Sequence, residues 1–236
     1  MKDAYYRNIM VLLLCLTAGI VDVIGYLSIG HVFTANMTGN IIFLGLAIGH
    51  SLQKRVMYSL TALLSFIIGV VIAAIIVWKQ EKSLWPFAIT KTLAVEGFVL
   101  LLFACLSLFH PSPYLLIMLL SIAMGLQTIA ARKLNIAGIS TTVLTGTLAS
   151  FFEDIMKRFC SNSNKKNFQS DALLRAFAIV LYCLGAIIAA FTKPAFPFVA
   201  IWLPILIIFG MIIVTEIMFQ VENKREKKHF FKSKSM

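Results

Sequence analysis

Charge is scarce in this chain, and most of it keeps away from the long apolar runs. Of 236 residues only 13% are charged and ten are acidic, against 60% apolar side chains and a mean hydropathy of +0.90. Soluble domains carry about half apolar residues, so a soluble fold is excluded and an integral membrane protein is expected. Cysteine is equally sparse. Cys15, Cys105, Cys160 and Cys183 form no CxxC pair, and three of them lie inside apolar runs as small core residues. His31, His50, His110 and His229 are scattered, with no pair one helical turn apart to hold a metal. No GxxxxGK[ST], HExxH or Ser-His-Asp spacing is present. Nucleotide-driven pumping and conventional hydrolysis are therefore not expected, no cofactor is implied, and a lone acid among scattered histidines is no catalytic set.

The formal charge of +11 comes from bases concentrated in loops and the tail. That is the positive-inside pattern of a membrane protein, so the expected partner is the lipid bilayer and not nucleic acid. Lys2 and Arg7 precede the first apolar run, which continues without a convincing small-residue cleavage site. An uncleaved first span is expected there.

What the chain has in abundance is apolar runs of about 20 residues, the length that crosses a bilayer. The expected spans are Ile9 to Ile29, Met57 to Trp78, Ala88 to Phe109, Tyr114 to Ala131, Ala172 to Phe191 and Phe198 to Val221. His110-Pro111-Ser112-Pro113 makes a turn that cannot continue a helix, and Lys193 to Pro197 divides the last two spans. Pro204 fits the first turn of a helix that starts near Leu203. The fold class is all-α: a polytopic helical membrane protein with one domain over 1–221 and a basic tail over 222–236. Glu96, about two turns into its span, is expected to snorkel or to pair with Lys91. Glu153 and Asp154 face Lys157 and Arg158 at i, i+4, the spacing of solvated helix ion pairs.

Polar residues interrupt this pattern chiefly between Gly19 and Gly49. Asp22 lies inside the first apolar run, where an ionisable side chain costs roughly 2.5 to 3.5 kcal/mol and usually faces a cavity or a partner. On a helix Cys15, Gly19, Asp22 and Tyr26 make one stripe, which should face protein or water. Phe33 to Ile48 is shorter than a span, with a polar head, Asn36-Met37-Thr38-Gly39-Asn40, ahead of an apolar tail. It either crosses as a short helix packed inside the bundle or enters and turns back, and irregular backbone at that depth must be enclosed by protein or line a cavity.

A second short segment, Gly138 to Phe152, has the same character. Laying Val32 to Ile41 over Ile139 to Leu148 aligns Thr34 with Thr141, Thr38 with Thr145 and Gly39 with Gly146. With one residue of slippage Gly19 meets Gly125 and Asp22 meets Thr128. A duplication with halves 1–110 and 111–221 is the expectation, as in many transporters. The basic residues test topology: if both short segments turn back, six crossings put eighteen of the 21 bases inside, whereas eight crossings put fifteen there. The six-crossing count is the better fit, and it makes the halves an inverted repeat with both termini in the cytoplasm.

The GxxD at Gly19 to Asp22, followed by FTANMTGN at Phe33 to Asn40 and a Gly-Leu-Ala run, resembles the YoaK-like family of uncharacterised bacterial membrane proteins. The resemblance implies a multi-pass, permease-like protein of about six spans in the bacterial plasma (inner) membrane, without an established substrate. Asp22, Asn36, Thr38, Gly39 and Asn40 match the family pattern, and no ligand residues come with it.

The expected function is a secondary permease or channel-like transporter of a small polar or ionic solute. Asp22 would change protonation at a midplane site whose pathway residues are Asp22, Tyr26, Asn36, Thr38, Gly39, Asn40, Gln127 and Thr145. Against this stands a carboxylate that merely caps the polar-headed segment, with Gln127 and Thr128 as interhelical hydrogen-bond donors. The alternative function is a non-transporting scaffold or accessory subunit that binds a partner helix. Homodimerisation is one way for so few short helices to enclose a pathway.

Overall fold

A computed structural model describes residues 2–78, 87–109, 111–134, 139, 141–142, 144–160, 165–192 and 198–234. Among these the secondary structure is helical: α1 (Lys2–Ile24), prolonged by a π-helical turn Gly25–Gly30, α2 (Met37–Gly49), α3 (Gln53–Val77), α4 (Phe87–Ser107), α5 (Pro113–Lys133), α6 (Leu144–Cys160), α7 (Lys165–Thr192) and, after a 3₁₀ turn at Val199–Ile201, α8 (Trp202–Lys234). Six of these helices are long and apolar enough to cross a membrane, while α2 and α6 are not among them. Pro113 opens α5 at its first turn, where its missing N–H costs nothing. The connection between the second and third expected spans and the whole turn expected over Lys193 to Pro197 lie outside the described residues.

The core is made by α1, α4 and α5, whose Leu14, Ile20, Leu93, Leu100, Phe103, Leu120 and Met124 are fully enclosed. By contrast α3 and α7 turn Leu64, Ile67, Ile68, Val71 and Ile75, and Phe177, Val180 and Leu184, outward. Apolar faces this continuous are not sustained in water, and they fit the hydrocarbon of a bilayer.

Two glycine pairs set the helix directions. A Cβ on Gly19 would strike the carbonyl of Tyr182, and one on Gly185 would strike the carbonyl of Leu16. Likewise Gly69 meets the carbonyl of Ile122 and Gly125 that of Phe66. Helix Cβ atoms tilt toward the N-terminus, and in each case the struck carbonyl lies three residues before the partner glycine. These are the most extensive helix contacts among the described residues, and both pairs are parallel: α7 ends against the turn at Val199–Ile201, beside the end of α4 where Phe198 packs on Phe103, and α3 and α5 meet at their starts. Tyr58 near the start of α3 touches Tyr114 near the start of α5, as parallel packing requires.

The start of α3 also sits at the end of α1, since a Cβ on Gly30 would press on the Tyr58 ring and Val32 packs with Ala62 and Ile117. The chain that leaves α1 thus begins α3 on the same face, and α2 enters and returns without crossing. Because α5 parallels α3 and α7 parallels α1, α6 must do the same from the opposite face. The contacts recur on exchange of halves: α1 on α7 answers α5 on α3, and α2 on α3 answers α6 on α7. The glycines that the sequence alignment overlays, Gly19 and Gly125, hold corresponding places. With six crossings the first span starts and the last ends on one side. In a cysteine-free background, Lys54→Cys should react with an impermeant maleimide on the face opposite the N-terminus, and Lys133→Cys on the face of the N-terminus. The reverse pattern would mean that α2 and α6 cross.

Two ion-pair expectations divide. Lys157 bonds Glu153 at 2.7 Å near the exposed end of α6, holding that carboxyl below its usual range. Asp154 instead pairs with Arg175, about a third of the way along neighbouring α7, and so pins the two helices together. Nor does Glu96 snorkel or pair with Lys91: the Lys91 ammonium lies over the Phe87 ring at 4.8 Å and Glu96 is wholly buried.

Candidate functional site

Asp22 faces protein on every side and is 2% exposed. Its place follows from α1, whose small residues let α7 approach closely on the same face. Past Gly30 the chain reverses at His31, held in the left-handed region at φ 55°, and runs back along α1. This brings the backbone N–H groups of Thr34 and Ala35 to one carboxylate oxygen, Oδ1, at 2.7 and 2.6 Å, with the Thr34 hydroxyl at 3.1 Å. The other oxygen, Oδ2, accepts one bond, from the Tyr182 hydroxyl on α7 at 2.6 Å. Consecutive amides converging on one oxygen form an anion nest, and the positive end of α2, which starts three residues after Thr34, adds to it.

The polar-headed run then serves the turn itself. Asn36 caps α2 by accepting from the Gly39 N–H at 3.4 Å. Asn40, fully buried, clamps the backbone of Phe33 in both directions, accepting from its N–H at 2.9 Å and donating to its carbonyl at 2.6 Å. Gly39 is required because a Cβ would sit 2.7 Å from the Phe33 ring. Outside this turn Tyr26, Phe33 and Phe43 stack at centroid distances of 5.1 and 5.7 Å, with His31 edge-on to Tyr26. The wide π-helical turn that carries Tyr26 is a feature often found at functional sites.

Of the eight expected pathway residues, the fold gathers Asp22, Tyr26, Asn36, Gly39 and Asn40 around one re-entrant turn. Thr38 and Thr145 are exposed on the outer sides of α2 and α6, and the acid's hydroxyl partner is Thr34 instead. They fail to join because the first residues of a helix turn through 100° each, so only one of Thr38 and Asn40 can face inward. Gln127 is buried in another place, where α5 crosses α1: it accepts from the Thr17 hydroxyl at 3.0 Å and donates to the Leu14 carbonyl at 2.8 Å.

Tyr182 is the site residue that sequence reasoning missed. A signal existed, since an aromatic residue stands three before the packing glycine in both halves, Phe66 before Gly69 and Tyr182 before Gly185. The corresponding spot in the second half pairs the Thr128 hydroxyl with that of Thr142 at 3.1 Å, while the backbone of Phe66 lies against Gly125 one turn earlier. One copy of the turn thus holds an acid and a phenol, and the other a pair of hydroxyls. Chemically, Oδ1 is held by three donors, two of them backbone amides that cannot accept a proton, whereas Oδ2 has one partner, a hydroxyl on a side chain that can rotate.

Comparison with known proteins agrees with this architecture. The chain is 58% identical over 225 residues, 94% of its length and 100% of the relative's, to the UPF0700 transmembrane protein YoaK of Bacillus subtilis (strain 168). No solved structure matches it. Residues 10–214, which reach into all six spans and take in both short helices, match the family described as protein of unknown function, DUF1275, and the chain belongs to that family.

Proposed function

We propose that the protein is a secondary permease or channel-like transporter for a small polar or ionic solute, with the Asp22–Tyr182 hydrogen bond as the element that opens. The observation that carries this reading is the pair of short helices, α2 packed on α3 and α6 packed on α7, whose irregular leading segments meet Asp22 and Thr128 inside the bundle, since polar non-helical backbone at membrane depth is where transporters bind their cargo. The basic residues favour cytoplasmic termini in the plasma membrane. In this reading Oδ1 anchors the turn while Oδ2 exchanges a proton or meets the solute as Tyr182 swings away.

Asp22→Asn keeps an oxygen for the Thr34 and Ala35 amides and removes the charge. In liposomes holding a pH-sensitive dye, the wild type should carry protons or members of a panel of small polar solutes, and Asp22→Asn should fall to the level of empty liposomes. Equal flux in both removes Asp22 from the mechanism.

A second reading, a scaffold that binds a partner helix or a second copy of itself, draws on the sealing of Asp22 by four protein donors and on the outer face of α2. There Gly45 and Gly49 have open space where a Cβ would stand, and small residues favour close helix association in lipid. This reading expects no flux from the pure protein, together with an association lost on Gly45→Leu.

A further inference from the structure

Glu96 is the tenth residue of the 21 in α4, at the middle of a span, and is 0% exposed. Neither carboxyl oxygen has a hydrogen-bond partner in the structure. The helices packed on α4 are α5, α8 and α3. Their titratable groups are Tyr114, Arg132 and Lys133 at the ends of α5, Lys54, Arg55 and Tyr58 at the start of α3, and on α8 Glu216, followed by the charged run from Glu222 to Lys234 more than three turns beyond Phe209; on α4 itself Cys105 lies near the far end and Lys91 lies on Phe87. None of them bonds to Glu96. A carboxylate without donors in such a place is so costly that the group packs as the neutral acid. Asp22, with four donors, is its opposite.

We propose that Glu96 is a proton-binding site in the bilayer core, occupied in this packed state and emptied when the contact between α4 and α8 loosens. The ligand is a proton because a lone carboxyl offers too few oxygens for a metal ion, and no group of three or more His, Cys, Asp or Glu occurs among the described residues. The α4–α8 contact is the one built to give. Gly97, next to Glu96, meets Ile208 and Phe209 through side-chain ends at 3.3 and 3.4 Å, whereas the glycines of α1–α7 and α3–α5 press on backbone carbonyls that cannot swing aside. Ser121 on α5, fully buried with an unbonded hydroxyl, adds a second unpaired polar group in the middle of the neighbouring helix. The role of that proton as the driving ion rests on the transport reading above; its binding to Glu96 does not.

The test uses the full chain in lipid vesicles and dicyclohexylcarbodiimide, an apolar reagent that attacks protonated carboxyls from within the membrane. The acid proton passes to a carbodiimide nitrogen, the carboxylate oxygen adds to the central carbon, and the adduct rearranges to a stable N-acylurea with no group lost. Mass spectrometry of peptides should find one modified residue within the spans, Glu96, with labelling that falls as pH rises, none at Asp22, and none in Glu96→Gln. Absence of the adduct across pH 5 to 9, while the denatured wild type labels, overturns the proposal; so does labelling that pH leaves unchanged. Glu96→Met, which removes the acid without leaving unpaired amide atoms, should melt no lower than wild type and keep Asp22–Tyr182 intact. A lower melting temperature would mark Glu96 as a packing residue and overturn its assignment as a proton site. Labelled Glu96 in vesicles that carry no solute or proton would leave the site standing and remove the transport reading instead.

Discussion

Asp22→Ala should free the re-entrant turn and cost the folded protein at least about 3 to 5 kcal/mol, the usual result of deleting one partner from a buried charged network. Four donors lose their acceptor at once: the Thr34 and Ala35 amides, the Thr34 hydroxyl and the Tyr182 hydroxyl. Each buried donor left unpaired costs about 1 to 3 kcal/mol, and at this depth no bulk water substitutes for the acceptor. The losses overlap, because a turn that detaches carries Thr34 and Ala35 together. Limited proteolysis between residues 31 and 36, together with thermal melting in nanodiscs, measures the effect. Asp22→Asn should retain most of the stability, and Tyr182→Phe should lose one bond, about 1 to 3 kcal/mol. If the alanine variant melts with wild type and resists cleavage, the carboxylate is not what holds the turn.

A larger loss is expected from the glycine pairs. Gly19→Ala, Gly185→Ala, Gly69→Ala and Gly125→Ala each put a methyl into a backbone carbonyl of the parallel partner. Since no side chain can rotate out of the way, the helices must separate along their length. Over-packing typically costs about 1 to 3 kcal/mol where neighbours can yield, and these positions should exceed that range. Gly45→Ala and Gly146→Ala supply the control, because open space surrounds both sites and alanine in a helix gains about 0.5 to 1 kcal/mol over glycine. The contrast is read as the yield of folded, monodisperse protein and its melting temperature. Equal behaviour of the two sets would deny that backbone contact at these glycines ties the halves together.

The same glycines explain how far sequence reasoning reached. Overlaying Gly19 on Gly125 found two residues that occupy equivalent places, because a helix contact too close for a Cβ leaves a mark that composition cannot blur. The charge count favoured six crossings, and the α1 end meeting the α3 start at Gly30 and Tyr58 gives α2 the return path that this count requires. Thr38 and Thr145 aligned with each other just as well, yet both face outward, since Gly and Thr recur in membrane helices with or without a shared role. The expectation that Glu96 snorkels or pairs with Lys91 fails because distance from a helix end is visible in a sequence, while complete burial without a hydrogen-bond partner is not.

Hydropathy, turn residues and the one acid in the first run were enough to establish a helical bundle of six spans, two short polar-headed segments and Asp22 as the group to watch. Such features are local, and the bilayer reads them segment by segment. Tertiary structure alone decided that α1 pairs with α7 and α3 with α5, that Tyr182 completes the Asp22 site from 160 residues away, and that Glu96 stands without a donor. Those outcomes depend on which helix faces come together, and helix association in lipid turns on close packing and a few hydrogen bonds rather than on the hydrophobicity that a sequence displays.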